Sequence, residues 1–471
     1  MVKKINSFLS SAIFKSPSFY SILFIATVLI WINFNIRKWK ENDVIKSDVV
    51  SYYAYLPAFV IENSPDLSFT DGKEEFYTNH NRYWPQIAPN GKKVIKTTMG
   101  MAFLYSPFFL IAHTEAKMKG LPQDGFSQPY HKWIHLSGVF YCLIGLIFLR
   151  KILLKFYNEI ITTIVLLLLV FGTNLFHYTT AEAALSHAPD FALIAIFIYT
   201  SMNWLEDKQL STSVFLGLIF GLIILIRPVN ILIAIFPLLY NVTSFSSFRL
   251  RIKSLFLEWK PLLIITVFSF AVFFPQMIYW KYITGSWLFN SYVGEQFYFL
   301  NPHILEGFFS YRKGWLLYTP LMIFSITGFY FLYKNQRNFF LPVIVFFVIN
   351  CYVVFSWWCW WYGGSMGMRP MIDSYALMAI PLAALIRWVL IKRKAILTIT
   401  FSLIALIFTA LNVFQSWQLR NGIIHWDSMT KESYRESLFQ LHGNEKIQNT
   451  LKSPDYEKAR KGEDEYEITL F

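Results

Sequence analysis

Charge is scarce in this chain of 471 residues: 15% are Asp, Glu, Lys or Arg, where an ordinary soluble domain carries about 25%. That shortage argues against a solvated globular protein. Cysteine is scarcer still. Cys142, Cys351 and Cys359 are the full complement; they sit in or beside apolar runs without metal-ligand spacing, so no disulfide framework is expected. The glycine patterns of a P-loop or a dinucleotide fold are missing, which argues against a bound nucleotide. No internal repeat or low-complexity tract is visible. The first apolar run lacks a small-residue cleavage site and reads as a retained anchor helix, not a removable signal.

Apolar residues are what the chain has in excess. They make up 55% of it, with 19% aromatic and 47 phenylalanines. They cluster into runs nearly free of charge, such as 161–171, 214–226 and 396–411. About 20 apolar residues match the ~30 Å hydrocarbon thickness at ~1.5 Å rise per residue. Segments 19–34, 138–154, 160–177, 185–204, 214–226, 231–240, 262–280, 315–333, 339–355, 375–391 and 396–414 read as spans. The expected class is an all-α integral membrane protein with about eleven transmembrane helices. The short fifth and sixth runs are joined through Arg227-Pro228 and fit a helical hairpin with a buried turn. Segment 99–113, interrupted by Pro107, reads as an interfacial helix.

With 99–113 on the surface, the basic clusters Lys3/Lys4/Lys15, Arg150/Lys151/Lys155, Arg249/Arg251/Lys253, Lys334/Arg337 and Lys392/Arg393/Lys394 share one side. That is the positive-inside pattern. It predicts an inner (cytoplasmic) membrane protein with a cytoplasmic N-terminus and an extracytoplasmic C-terminus. These clusters and anionic lipid also account for the net charge of +13 without a nucleic-acid partner. The expected organisation is a membrane domain over 1–417, containing a first outer loop at 37–137, and a small outer appendage at 418–471.

The long connections then face outwards, and five constellations on that side bear chemistry. A helix starting at Asp48 would align Asp48, Tyr52, Tyr55 and Phe59 on one face; Asp48 reads as a general base or as a helix cap. Arg227, within apolar sequence, reads as a phosphate-binding guanidinium or an internal ion pair. Trp357-Trp358-Cys359-Trp360-Trp361-Tyr362 could be an aromatic belt. The Gly-Gly-Ser-Met-Gly-Met-Arg369 that follows suits an anionic head group, with Asp373 available to pair with Arg369. Glu182, His187 and Asp190 could supply acid/base groups, with Glu182 and Asp190 as weak candidates for a divalent cation. Arg312 and Lys313 enter a span from outside, against the usual bias, and could bind phosphate or anchor at head groups.

In their order along the chain these features resemble the polytopic membrane glycosyltransferases with the GT-C fold. Those carrying the resemblance are one anchor helix before a long outer loop opening on Asp48, the surface helix 99–113, the Arg227-Pro228 turn, and the outer Gly-rich segment with Arg369. The likeness covers most of 19–414 and is nearest in layout to the lipid A aminoarabinose transferases and protein O-mannosyltransferases. It implies inverting transfer of a sugar from a polyprenyl-phosphate donor to a hydroxyl of a lipid, glycan or protein acceptor at the outer face of the cell envelope. By that likeness Asp48 is the general base. Tyr52, Tyr55, Glu182, His187, Arg227, Arg312, Lys313, Trp361, Tyr362 and Arg369 are the expected substrate contacts. Asp48 is followed by Val-Val, so the double-acid pattern of several branches is absent. The family's later acidic residue is either Glu182 or Asp190. Two other classes stay open: a transporter or flippase of lipid-linked sugars, and an envelope-lipid ligase or acyltransferase centred on His187 or His303.

Overall fold

A computed structural model describes residues 16–79, 82–83 and 85–463. Lys3, Lys4 and Lys15, and the last residues of the expected appendage, lie outside the described residues. The described chain is mostly helical, with one two-stranded antiparallel sheet, Pro85–Ile87 against Lys93–Ile95. Among the described residues seven helices are long and apolar enough to cross a membrane: Pro17–Glu41, Gln128–Leu154, His187–Asp207, Trp259–Thr284, Arg337–Phe355, Arg369–Lys392 and Ala395–Arg420. Glu159–Phe171, Leu210–Ile226 and Pro228–Leu239 are shorter apolar helices.

Every expected span overlaps a helix, but several boundaries differ for identifiable reasons. Segment 315–333 is not one helix. It splits into Trp315–Tyr318 and Met322–Asn335, with Thr319 at φ −136°, ψ 59°. Pro320 explains this, because it has no N–H to continue the helix and forces its predecessor out of the α region. Segment 160–177 stops being α-helical at Phe171. The irregular chain beyond it is buried, and the Asn412 amide donates to the carbonyls of Phe171 and Thr173 at 3.1 and 2.7 Å. Non-helical backbone at membrane depth is tolerated only with such internal partners. Conversely, 138–154 begins ten residues early, at Gln128. Hydropathy misses that first part because of His131 and His135. Both are nonetheless buried and satisfied: His131 Nδ1 accepts from the Val44 and Ile45 amides, each at 3.1 Å, and His135 Nε2 meets Asn33 Oδ1 at 2.6 Å.

Small residues let the helices approach closely. Gly217 and Gly221 form a G-x-x-x-G face on Leu210–Ile226, and Ser269 Oγ from Trp259–Thr284 donates to the Gly217 carbonyl at 2.9 Å. A Cβ on Gly138 would lie 1.7 Å from the Ala183 carbonyl oxygen, just ahead of the helix that carries His187. Gly138→Ala is therefore expected to cost about 1–3 kcal/mol or more through overpacking. Gly443→Ala, whose added carbon meets nothing within 4 Å, is the matched control. Thermal unfolding in detergent distinguishes them; equal midpoints would refute the packing assignment.

Candidate functional site

Four segments meet at one end of the bundle: the start of the first long loop, the helix beginning at His187, the break after Ile226, and the 3-10 turn Arg369–Ser374. Each delivers charge for a local reason. Asp48 is the first residue of Asp48–Tyr53, behind Ser47 at φ 49°, ψ −131°, a strained conformation for a residue with a Cβ. Arg227 ends the Leu210–Ile226 helix because Pro228 follows, and the arginine takes φ −143°, ψ 105°. Arg369 precedes Pro370 at the start of the 3-10 turn.

The resulting pairs cross between segments. Asp48 Oδ2 meets an Arg369 guanidinium nitrogen at 2.7 Å. Arg227 meets Asp373 Oδ2 at 2.8 Å, Asn230 Nδ2 donates to the same oxygen at 3.1 Å, and His187 Nδ1 lies 3.6 Å from Asp373 Oδ1. The expected pairing of Asp373 with Arg369 is thus corrected. Residues four apart on a turn of about three residues point some 120° away from each other, so each finds a partner elsewhere. Asp48 keeps 37% of its side-chain surface accessible. Burial nonetheless pushes its carboxyl up, and Arg369, with Lys96 and His187, outweighs this and holds it below the usual carboxylate range. The carboxyl is thus packed against protein on one side and accessible on the other.

Tyr52 lies between the two pairs. Burial and the Asp48 charge push its phenol up to about 12, while Arg227 and Arg369 oppose the rise. Tyr362, at φ 55°, donates to the Val354 carbonyl at 2.8 Å, and both arginines act on its phenol. The glycine-rich segment behind it is held by Tyr178, whose hydroxyl accepts from the Met366 amide at 2.9 Å, and by Asn174, which donates to the Met366 carbonyl at 3.1 Å.

The structure does not gather every expected residue. The single face from Asp48 to Phe59 is broken, because Tyr55–Val60 is a separate helix containing Pro57. Tyr55 donates to the Thr97 carbonyl at 2.6 Å and packs on Tyr279, away from Asp48. Glu182 pairs with Lys38. Asp190 is buried near Asp373, Arg227 and Ser186. Glu182 and Asp190 therefore do not converge, and among the described residues no group of three or more His, Cys, Asp or Glu is arranged to hold a metal ion.

Arg312 and Lys313 are both buried and directed at the appendage. Arg312 donates to the carbonyls of Asp427 and Lys452, and Lys313 to those of Ser365 and Trp426. Arg312 also stacks on Trp361, 5.6 Å from its ring centre, so Trp361 faces the appendage too. Backbone carbonyls take the place of the phosphate expected there. Residues missed in the sequence are Lys96, Glu295 and Tyr292. Lys96 meets Glu295 at 2.5 Å, lies 5.2 Å from the Tyr292 ring centre, and its charge acts on Asp48. A lysine in a loop expected to lie outside, against the inside bias, was the available signal.

No protein-family model matches the chain, and no curated protein matches it.

Removing Asp373 leaves Arg227 unpaired in largely buried surroundings. Asp373→Ala is expected to destabilise the protein by about 3–5 kcal/mol, read by thermal unfolding; an unchanged midpoint would show the pair to be dispensable. Burial lowers the Lys313 ammonium to about 7, against Asp427, while Arg312 and Arg369 add to the fall. The unfolded lysine keeps its proton to higher pH, so docking of the appendage gains stability as pH rises from about 7 towards 10. Limited proteolysis of residues 421–463 is expected to slow across that range; cleavage that speeds up would contradict it.

Proposed function

We propose that this chain is a membrane glycosyltransferase. It moves a sugar from a polyprenyl-phosphate donor to an acceptor hydroxyl, with inversion, at the outer face of the cytoplasmic membrane. About eleven spans, a cytoplasmic N-terminus and an extracytoplasmic C-terminus belong to the same reading. The observation that carries it is the Asp48–Arg369 pair, with Asp48 partly accessible and the Arg227–Asp373 pair near it across Tyr52.

In this mechanism the acceptor oxygen attacks the anomeric carbon as its proton passes to Asp48. The bond from that carbon to the donor's phosphate oxygen breaks, and the electron pair leaves with the lipid phosphate. Arg369 and Arg227 stabilise the charge that develops there. Asp48, held by Arg369, is a weak base until something competes for the guanidinium. The donor's phosphate is such a competitor, so donor binding frees the carboxylate at the moment the acceptor needs it. A positioned carboxylate contributes about 10²–10⁴-fold.

The Asp48→Asn protein, whose amide oxygen still accepts from Arg369, is expected to stay folded at some cost in stability and to lose release of polyprenyl phosphate from a panel of polyprenyl-phosphate sugars. Wild-type turnover in that variant would remove Asp48 as the base. A His187→Ala variant assayed in parallel tests the ligase or acyltransferase class, in which His187 would be essential and Asp48 not. The pH profile adds a second check. A carboxyl held below its ordinary 3.8 stays ionised on the acid side of neutrality and loses its pair with Arg369 only as pH falls through that lowered value. The kcat/KM for donor is therefore expected to stay level from about pH 7 down to about pH 5; an acid limb centred in that interval would assign the base to another group.

A further inference from the structure

Helix Phe245–Leu257 joins two apolar helices and has no buried residue. It is tied at both ends. Only residues 240–244 separate it from the helix ending at Leu239, and only Glu258 separates it from Trp259–Thr284. A segment held so closely between two spans stays at the membrane face. Its protein side is pinned: Arg251 donates to the Tyr240 carbonyl at 2.8 Å, and Lys208 reaches Ser254 Oγ at 2.6 Å and Glu258 at 2.7 Å.

Its other side has no cover. At 100° per residue, Phe245, Phe256, Arg249, Lys253, Leu257 and Leu250 fall within an arc of about 140°. The four apolar members are 64–77% exposed. Arg249 lies over the Phe245 ring, 4.8 Å from its centre, and among the described residues neither Arg249 nor Lys253 has an acidic partner. An apolar stripe with cations set into it is the pattern of an interfacial helix on a negatively charged leaflet, its rings among the acyl chains and its cations at the phosphates.

We propose that Phe245–Leu257 is a docking element for anionic phospholipid in the cytoplasmic leaflet. The charge pattern selects this occupant: a zwitterionic surface would cover the phenylalanines and leucines but leave both cations uncompensated. The inference rests on the orientation given by the basic loops and is independent of the transferase reading.

Ser246 is exposed within the same arc, so an NBD fluorophore on Ser246→Cys reports the environment of that face. The intact protein carries it, with the unsubstituted chain correcting for the three buried native thiols. Reconstitution uses phosphatidylcholine vesicles with and without phosphatidylglycerol. The expected result is blue-shifted emission, quenched by lipid-attached quenchers, in the phosphatidylglycerol vesicles and weaker in their absence. Arg249→Gln with Lys253→Gln is expected to lower the membrane-inserted fraction relative to the water-exposed one by roughly fivefold per cation. High salt is expected to do the same without any substitution. Water-like emission in both vesicles, equal insertion in both, or insensitivity to the variant and to salt would each overturn the proposal. None of these outcomes touches the assignment of Asp48.

Discussion

Charge neutralisation across chain segments far apart in sequence is the constraint on which the Asp48 end of the bundle depends. A carboxylate or guanidinium in a low-dielectric place is tolerated only with a partner. Here every partner comes from a different element. Asp48 binds Arg369, and Arg227 binds Asp373. Arg369 and Asp373 sit on the same short turn, so that turn is stapled at one end to the first long loop and at the other to the break after Ile226. Both arginines stand directly before a proline in the first turn of a 3-10 stretch. At Arg227 that proline also ends the preceding helix, and at both positions it brings no amide in need of a partner.

Much of this was legible in the sequence, and the rest was hidden for physical reasons. Apolar runs found the helices because hydrocarbon thickness imposes a length that composition records. They failed where a polar residue is satisfied from elsewhere: His131 and His135 look like the end of a span, but Val44, Ile45 and Asn33 supply their partners. Asp48, Arg227 and Arg369 stood out because charge in apolar surroundings is rare. Which acid each arginine takes was not readable, since pairing depends on how four elements dock. Arg312 and Lys313 show the opposite error. Their charge pointed to an anion, whereas the structure spends their donors on main-chain oxygens of a segment more than a hundred residues later.

That segment is more than an appendage. Through Trp426, whose carbonyl accepts from the Ser365 amide at 3.1 Å as well as from Lys313, residues after the last span brace the glycine-rich strip leading to Arg369. Tyr456 adds its ring to Trp358 and Trp361, at 6.2 and 5.4 Å between ring centres. The conformation of Tyr362 and the direction of Arg369 therefore rest partly on the C-terminal region. A glycine-rich strip close to a proposed site needs such bracing, because its own backbone has little preference to hold it.

The non-helical chain beyond Phe171 has a consequence for how the protein is made. Asn412, which a ribosome supplies some 240 residues later, donates to the Phe171 and Thr173 carbonyls, and Thr173 has the Phe176 amide as a second, local donor. Until the final hydrophobic helix leaves the translocon, the Phe171 carbonyl lacks its Asn412 partner, and in a lipid interior water cannot replace one. The early helices can enter the bilayer one after another, but the centre of the bundle closes only at the end of synthesis. Assembly is thus tied to completion of the chain.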